Sequence, residues 1–118
     1  MNYYHDKTGR RTYYVELPTP ETIARKAALV LNGGDNREIS LVLGIAQVHP
    51  RDPYVKSIGR EVAKSKAEKI SAKLDSFSTD SRGIITATLV KDKVKMFVTA
   101  KLGGDTRLHM VYLGKYGW

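Results

Sequence analysis

Lys56, Arg60 and Lys64 recur at every fourth position, and Arg51 precedes them across a Pro-containing turn. A spacing of four stacks side chains along a single helix face. Cations stacked in this way repel one another by a few tenths of a kcal/mol per pair. An anion lying along the row removes that cost, so the pattern suits a phosphate-bearing ligand. The start of the same helix adds free backbone N–H groups and the positive end of the helix dipole. Asp52 is placed to cap that helix and would compete for those donors, and Pro53 suits its first position. Tyr54 supplies a ring beside the row for stacking on a base. The competing reading is a capped helix with a solvated basic face.

A second basic and aromatic set lies near the C-terminus. Residues 94–102 alternate, with Val94, Met96, Val98 and Ala100 on one side and Lys95, Phe97, Thr99 and Lys101 on the other. With a hairpin turn at 103–105, Lys101 is expected opposite Arg107, Thr99 opposite His109 and Phe97 opposite Val111. Directly opposed like charges are unfavourable on a sheet. Phe97 among Lys95, Lys101 and Arg107 is the stack-and-neutralise arrangement that suits single-stranded nucleic acid. The alternative is a covered face, with Phe97 in a core and the lysines snorkelling at its edge.

Catalytic signals are few. His5, His49 and His109 lack metal-ligand spacing. His49 with Asp52 has the composition of an acid/base pair, but a His beside a Pro-containing turn is more simply a turn residue. Neither a Gly-x-Ser-x-Gly elbow nor a phosphate-binding Gly-rich loop ending in Lys-Ser/Thr occurs. The acidic residues are dispersed. The expectation is a non-catalytic protein with no metal and no cofactor.

Composition supports a binding role. The 118 residues carry a formal charge of +8 and a pI of about 9.8. Such an excess favours polyanionic partners, or else serves only solubility. Without cysteine there is no disulfide framework and no thiolate zinc site, in keeping with a cytoplasmic setting. No signal peptide is expected, and the longest apolar run, 39–48, is too short to span a bilayer and contains Gln47.

The elements that must position these residues follow from periodicity and turn chemistry. Residues 2–5 and 12–17 form an N-terminal hairpin about a turn at 6–10, with Gly9 expected at a positive φ. Thr19, Pro20 and Glu21 start a helix with Ile23, Ala27, Val30 and Leu31 on its apolar face, and Asn32-Gly33-Gly34 stops it. Residues 38–48 are apolar on both sides, which marks a central strand. Gly44 there suits a close helix backbone. Strand–helix–strand order suggests a parallel crossover between 12–17 and 38–48. A helix is expected over 53–74. Its apolar stripe moves from Val55, Ile58 and Val62 to Ala67, Ile70 and Leu74, a rotation of roughly 100°. Residues 75–82 read as a loop, and 83–90, 94–102 and 106–113 as a meander. The expected fold class is α+β over a single domain, 1–118: a mixed, mainly antiparallel sheet, two helices and a C-terminal β-meander. The rotated stripe and the Tyr116 and Trp118 tail suggest a homo-oligomer.

The segment His49-Pro50-Arg51-Asp52-Pro53-Tyr54, continued by Gly59-Arg60-Glu61-Val62-Ala63, resembles a junction found in small phage-encoded accessory proteins. That resemblance implies a viral origin, a place in the host cytoplasm and a counter-defence role, either sequestering a nucleotide signal or blocking a host protein. The element order is also similar to that of Alba-like nucleic-acid binders, whose second basic site on a closing hairpin Lys95, Lys101 and Arg107 would imitate. This chain lacks their long Arg-rich hairpin tip, and topology does not carry function across. The functional expectation is a binder of nucleic acid or a nucleotide through Arg51, Tyr54, Lys56, Arg60, Lys64, Phe97, Lys101 and Arg107. The alternative is an inhibitor that docks on a host protein.

Overall fold

The computed structural model describes residues 2–49 and 51–113. Nine elements follow in order: β1 (Asn2–Asp6), β2 (Arg11–Glu16), α1 (Pro20–Leu31), β3 (Glu38–Gln47), α2 (Lys56–Ser65), β4 (Glu68–Thr79), β5 (Ile84–Lys91), β6 (Val94–Lys101) and β7 (Thr106–Leu113). The strands hydrogen-bond in sequence order. The chain divides into two compact units. One holds β1, β2, β3 from Leu41 onward, α2 and the start of β4. The other holds α1, the first residues of β3, the rest of β4, and β5 to β7.

In the first unit β1 and β2 form the expected hairpin, from Asn2 opposite Val15 to Asp6 opposite Arg11. The left-handed residue of its turn is Arg10, at φ 54°, and not Gly9. Asp6 Oδ1 accepts the Gly9 N–H at 2.9 Å, which fixes the turn through an acidic side chain instead. Thr12, Tyr13, Tyr14 and Val15 are all buried, so β2 is covered on both faces. Tyr3 packs edge-on against Tyr14 at 5.2 Å.

The anticipated parallel crossover does not form. β2 pairs antiparallel with β3, from Arg11 opposite Gln47 to Glu16 opposite Val42. The reason lies in the connection. Val42 lies opposite Glu16, the last residue of β2, so the chain rejoins the sheet at the end of β2 that it left. The clean strand–helix–strand order is therefore compatible with either sense of pairing.

Helix α2 packs on β2 and β3 through small residues. A Cβ on Gly59 would lie 3.0 Å from the Cβ of Thr12. A Cβ on Gly44 would run into the carbonyl of Ala63 and lie 2.8 and 2.9 Å from the N and Cα of Ala67. Gly44 is thus where a helix backbone comes close, as its place in a strand suggested. Tyr14, Ala46 and Ala63 form the cluster beneath, joined by Tyr3, Val42, Val62 and Ala67.

The long helix over 53–74 is also corrected. Helix α2 ends at Ser65, and Ala67, Ile70 and Leu74 lie at or on β4. Two patterns overlap in this stretch. Ala67, Ile70 and Leu74 fit a helical stripe, whereas Ile70, Ala72 and Leu74 fit strand alternation, and Ala72 and Leu74 are the buried pair. The rotated stripe was a change of element, and the subunit interface inferred from it loses that support. Strand β4 continues to Thr79, through most of the expected loop 75–82. The turn that follows is held by Asp80, whose Oδ1 accepts the N–H groups of Arg82 at 2.9 Å and Ile84 at 3.0 Å. The Ile84 bond in particular holds the Asp80 carboxyl below its usual range.

In the second unit β4 to β7 form the expected meander, extended by one strand. Val94, Met96, Val98 and Ala100 are buried with Ile85, Ala87, Leu89 and Leu74. The ladder slips between Leu74 and Ser76. There the Arg37 guanidinium donates to the carbonyls of Leu74 at 3.2 Å and Asp75 at 3.1 Å, which occupies acceptors at the irregularity. Helix α1 begins as expected, with Thr19 Oγ1 accepting the Thr22 N–H and Pro20 in the first turn. It buries Ile23 and Ala27 and leaves Leu31, 76% exposed, beyond the contact. Thr106 Oγ1 donates to the Pro18 carbonyl at 2.6 Å and ties the helix start to β7. Pro50, Tyr116 and Trp118 lie outside the described residues. Among those described, no helix is long and apolar enough to cross a membrane.

A candidate anion-binding helix face

The strand-to-helix junction after β3 is built differently from the sequence expectation. Val55, not Asp52, is the N-cap of α2, and no side chain caps the helix. Asp52 instead belongs to a turn: its N–H bonds to the His49 carbonyl at 2.9 Å, and its own carbonyl accepts from the Arg10 guanidinium. Pro53 therefore lies outside the helix. Tyr54 is what delays it. Its hydroxyl donates to the Arg11 carbonyl at 3.2 Å and meets His5 Nδ1 at 3.2 Å, which anchors the residue down onto the β1–β2 hairpin. The first helical residue is then Lys56, and the first turn contains no acidic residue.

From there 100° per residue sorts the side chains. Gly59 and Ala63 are buried against the strands. Lys56, Arg60 and Lys64 fall on one flank, Val55, Ile58 and Val62 on the other. Lys56 and Lys64 are exposed and Arg60 is half-buried. Among the described residues the ion pairs are Arg11–Asp6 and Arg82–Asp80, and neither involves this row.

His5 sits beside the basic flank. Its Nδ1 lies 3.3 Å from Thr12 Oγ1, on a fully buried residue, and 3.2 Å from Tyr54 Oη. The Tyr54 proton is directed to the Arg11 carbonyl, so toward His5 the Tyr54 hydroxyl can only accept. Burial lowers the pKa of His5, and the positive charges of Lys56 and Arg60 lower it further. Burial first, and then Lys56 and Arg60, thus disfavour the protonated ring.

The opposite flank of α2 borders a groove of about 360 Å³. Ile58 is 59% exposed there and Val55 38%. Ala46, Val48, Pro53 and Val62 complete its apolar lining. Arg51 is exposed in the preceding turn, where its N–H bonds to His49 Nδ1 at 3.2 Å. That bond makes His49 a turn-forming residue.

Phe97, Lys101 and Arg107 belong to the second unit. Phe97 is half-buried; Lys101 and Arg107 are exposed. Their expected register is displaced. Arg107 lies opposite Thr99, and Lys101 opposite Ile84 on β5, so the like charges are not directly opposed. Two features cause this. The closing turn is centred earlier, with Ala100 opposite Thr106, and the ladder slips again between Phe97 and Val98. Phe97 consequently faces Met110, and Met96 faces Val111. The residues 99 and 109 still meet, through Thr99 Oγ1 and His109 Nε2 at 2.7 Å.

The sequence placed the row Lys56, Arg60 and Lys64 together correctly and put Tyr54 beside it. It missed His5 and Thr12, because the ring and the helix are 49 positions apart and only strand pairing joins them. Among the described residues no three His, Cys, Asp or Glu side chains converge as a metal site. Comparison of the chain with protein-family models, curated proteins and solved structures gives no match.

Proposed function

We propose that this protein is a non-catalytic binder of a phosphate-bearing ligand, held on the basic flank of α2. The observation that carries the reading is the row Lys56, Arg60 and Lys64, which runs along an uncapped helix start without a carboxylate partner among the described residues. The row covers about 12 Å of helix axis, from the rise per residue. That length suits several phosphates in line better than one, so a nucleic-acid strand is favoured over a lone nucleotide. Tyr54 and His5 act underneath, setting where the helix starts and placing beside the cations a ring whose protonation they and burial disfavour. The resemblance to phage accessory proteins adds a host nucleotide signal as a ligand to be tried at the same flank.

The test is a thermal-shift and calorimetric screen of inorganic pyrophosphate, nucleotides and short oligonucleotides at two salt concentrations. A strand gives affinity that falls steeply with salt, because counterions are released. A nucleotide gives a weaker slope and a melting temperature raised by mass action. If no phosphate-bearing ligand binds or shifts melting, the proposal fails. The groove on the other flank favours a second reading, in which Val55 and Ile58 dock on a partner protein. That reading predicts nuclease-resistant partner binding that Ile58→Asp abolishes and Lys56→Ala with Arg60→Ala leaves intact.

A further inference from the structure

The sheet of the second unit has a face that the account of α2 does not use. Strands β5, β6 and β7 contain no acidic residue. Their inward set is buried, from Met96 and Val98 at 0% exposed to Val94 at 7%. Helix α1 is tied to Thr106, which lies opposite Ala100 on that inward side. Pairing sorts the other side. Phe97 lies opposite Met110, and the neighbouring row sets Lys95 opposite Tyr112. Met110 is 44% and Tyr112 51% exposed. Lys95, Lys101 and Arg107 lie around Phe97, and β5 adds Thr86 and Thr88, which are uncharged.

We infer that this face binds single-stranded nucleic acid by stacking a base on Phe97 while Lys101 and Arg107 meet the backbone phosphates. The charge on β5 to β7 is of one sign, which selects a polyanion. The Phe97 ring is flat and half-buried, which selects an anion that carries planar, unpaired groups. A duplex satisfies the first requirement and hides the second, since its bases are already stacked. An acidic protein surface also satisfies only the first. The proposal stands independently of the α2 flank, which needs phosphate and no base.

The experiment compares a labelled oligothymidylate with an abasic deoxyribose-phosphate strand of equal length, by fluorescence anisotropy on the full chain. Stacking contributes about 1–3 kcal/mol per base, so wild type should prefer the base-bearing strand by about five- to hundredfold. Phe97→Ala should remove that preference and leave binding of the abasic strand in place. Lys56→Ala with Arg60→Ala and Lys64→Ala should weaken both strands alike, which separates failure at α2 from failure here. Should Phe97→Ala not fold, Lys101→Ala with Arg107→Ala changes only exposed side chains. That pair should flatten the salt dependence of oligothymidylate binding by about 1.4 units of log–log slope for two lost contacts. Equal affinity of wild type for both strands, or a base preference that survives Phe97→Ala, overturns the proposal. So does an unchanged salt slope in the Lys101 and Arg107 variant.

Discussion

Gly44→Ala tests the seat of the basic helix without touching a charge. The added methyl would meet the Ala63 carbonyl and lie 2.8 Å from Ala67 N and 2.9 Å from its Cα. All three are backbone atoms, so no rotamer change relieves the contact, and the C-terminal turn of α2 must lift from β3. Overpacking of this kind costs about 1–3 kcal/mol, and the nearby backbone places the change toward the upper end. Replacing a strand glycine returns about 0.5–1 kcal/mol of chain entropy. The net expectation is a loss of about 2 kcal/mol. With an unfolding entropy of about 2.1 cal/mol/K per residue, a chain of this size loses roughly 8 °C in melting temperature. Thermal denaturation followed by circular dichroism reads this directly. Ligand affinity should fall with it, because Arg60 and Lys64 move with the helix. A melting temperature equal to or above that of wild type would refute the packing of α2 on Gly44.

Further outcomes follow from the same structure. Thr19→Ala removes the acceptor for the Thr22 N–H and should cost about 1 kcal/mol, read as a drop of roughly 4 °C in melting temperature. The folded pKa of His5 lies below its ordinary value of 6.5, so between the two the unfolded chain holds a proton that the folded chain does not. Its contribution to stability is complete above 6.5 and declines as pH falls from 6.5 toward the folded pKa; denaturant titrations across that window should show the slope, and His5→Gln should lack it. Lys56→Ala and Arg60→Ala should each raise the His5 pKa toward its ordinary value in an imidazole NMR titration. Tyr14 donates to Glu16 Oε2 at 2.7 Å and its pKa is pushed up to about 12, so alkaline ultraviolet titration should show it ionising late, and earlier in Glu16→Gln.

How much of this could be read from sequence depends on whether the governing interaction is local. The α1 start was legible because Thr19, Pro20 and Glu21 act within one turn. The β5–β7 meander was legible because alternation and turn residues, Asp92 in one turn and Gly103 and Gly104 in the other, are adjacent in the chain. Helix α2 was overextended because Ile70 and Leu74 satisfy two periodicities at once, and only burial of Ala72 decides between them. The sense of the β2–β3 pairing was hidden in the length and direction of the connection. The site shows the same division. The basic row is a local pattern and was found. The His5, Thr12 and Tyr54 contacts depend on antiparallel pairing of β1 with β2 and on the path of the junction, so no local signal marked them. The register of Phe97, Lys101 and Arg107 was displaced by irregularities that alternation does not reveal.

The central claim is that the α2 row holds phosphate. Its most direct test is the salt dependence of oligonucleotide binding by wild type and by the variant Lys56→Ala, Arg60→Ala, Lys64→Ala. Each phosphate contact on a single strand contributes about 0.7 to the slope of log affinity against log salt concentration, so losing three should flatten it by about 2. The account predicts that flattening, with weaker binding at low salt and a melting temperature no lower than that of wild type. An affinity and a slope equal to those of wild type would contradict it.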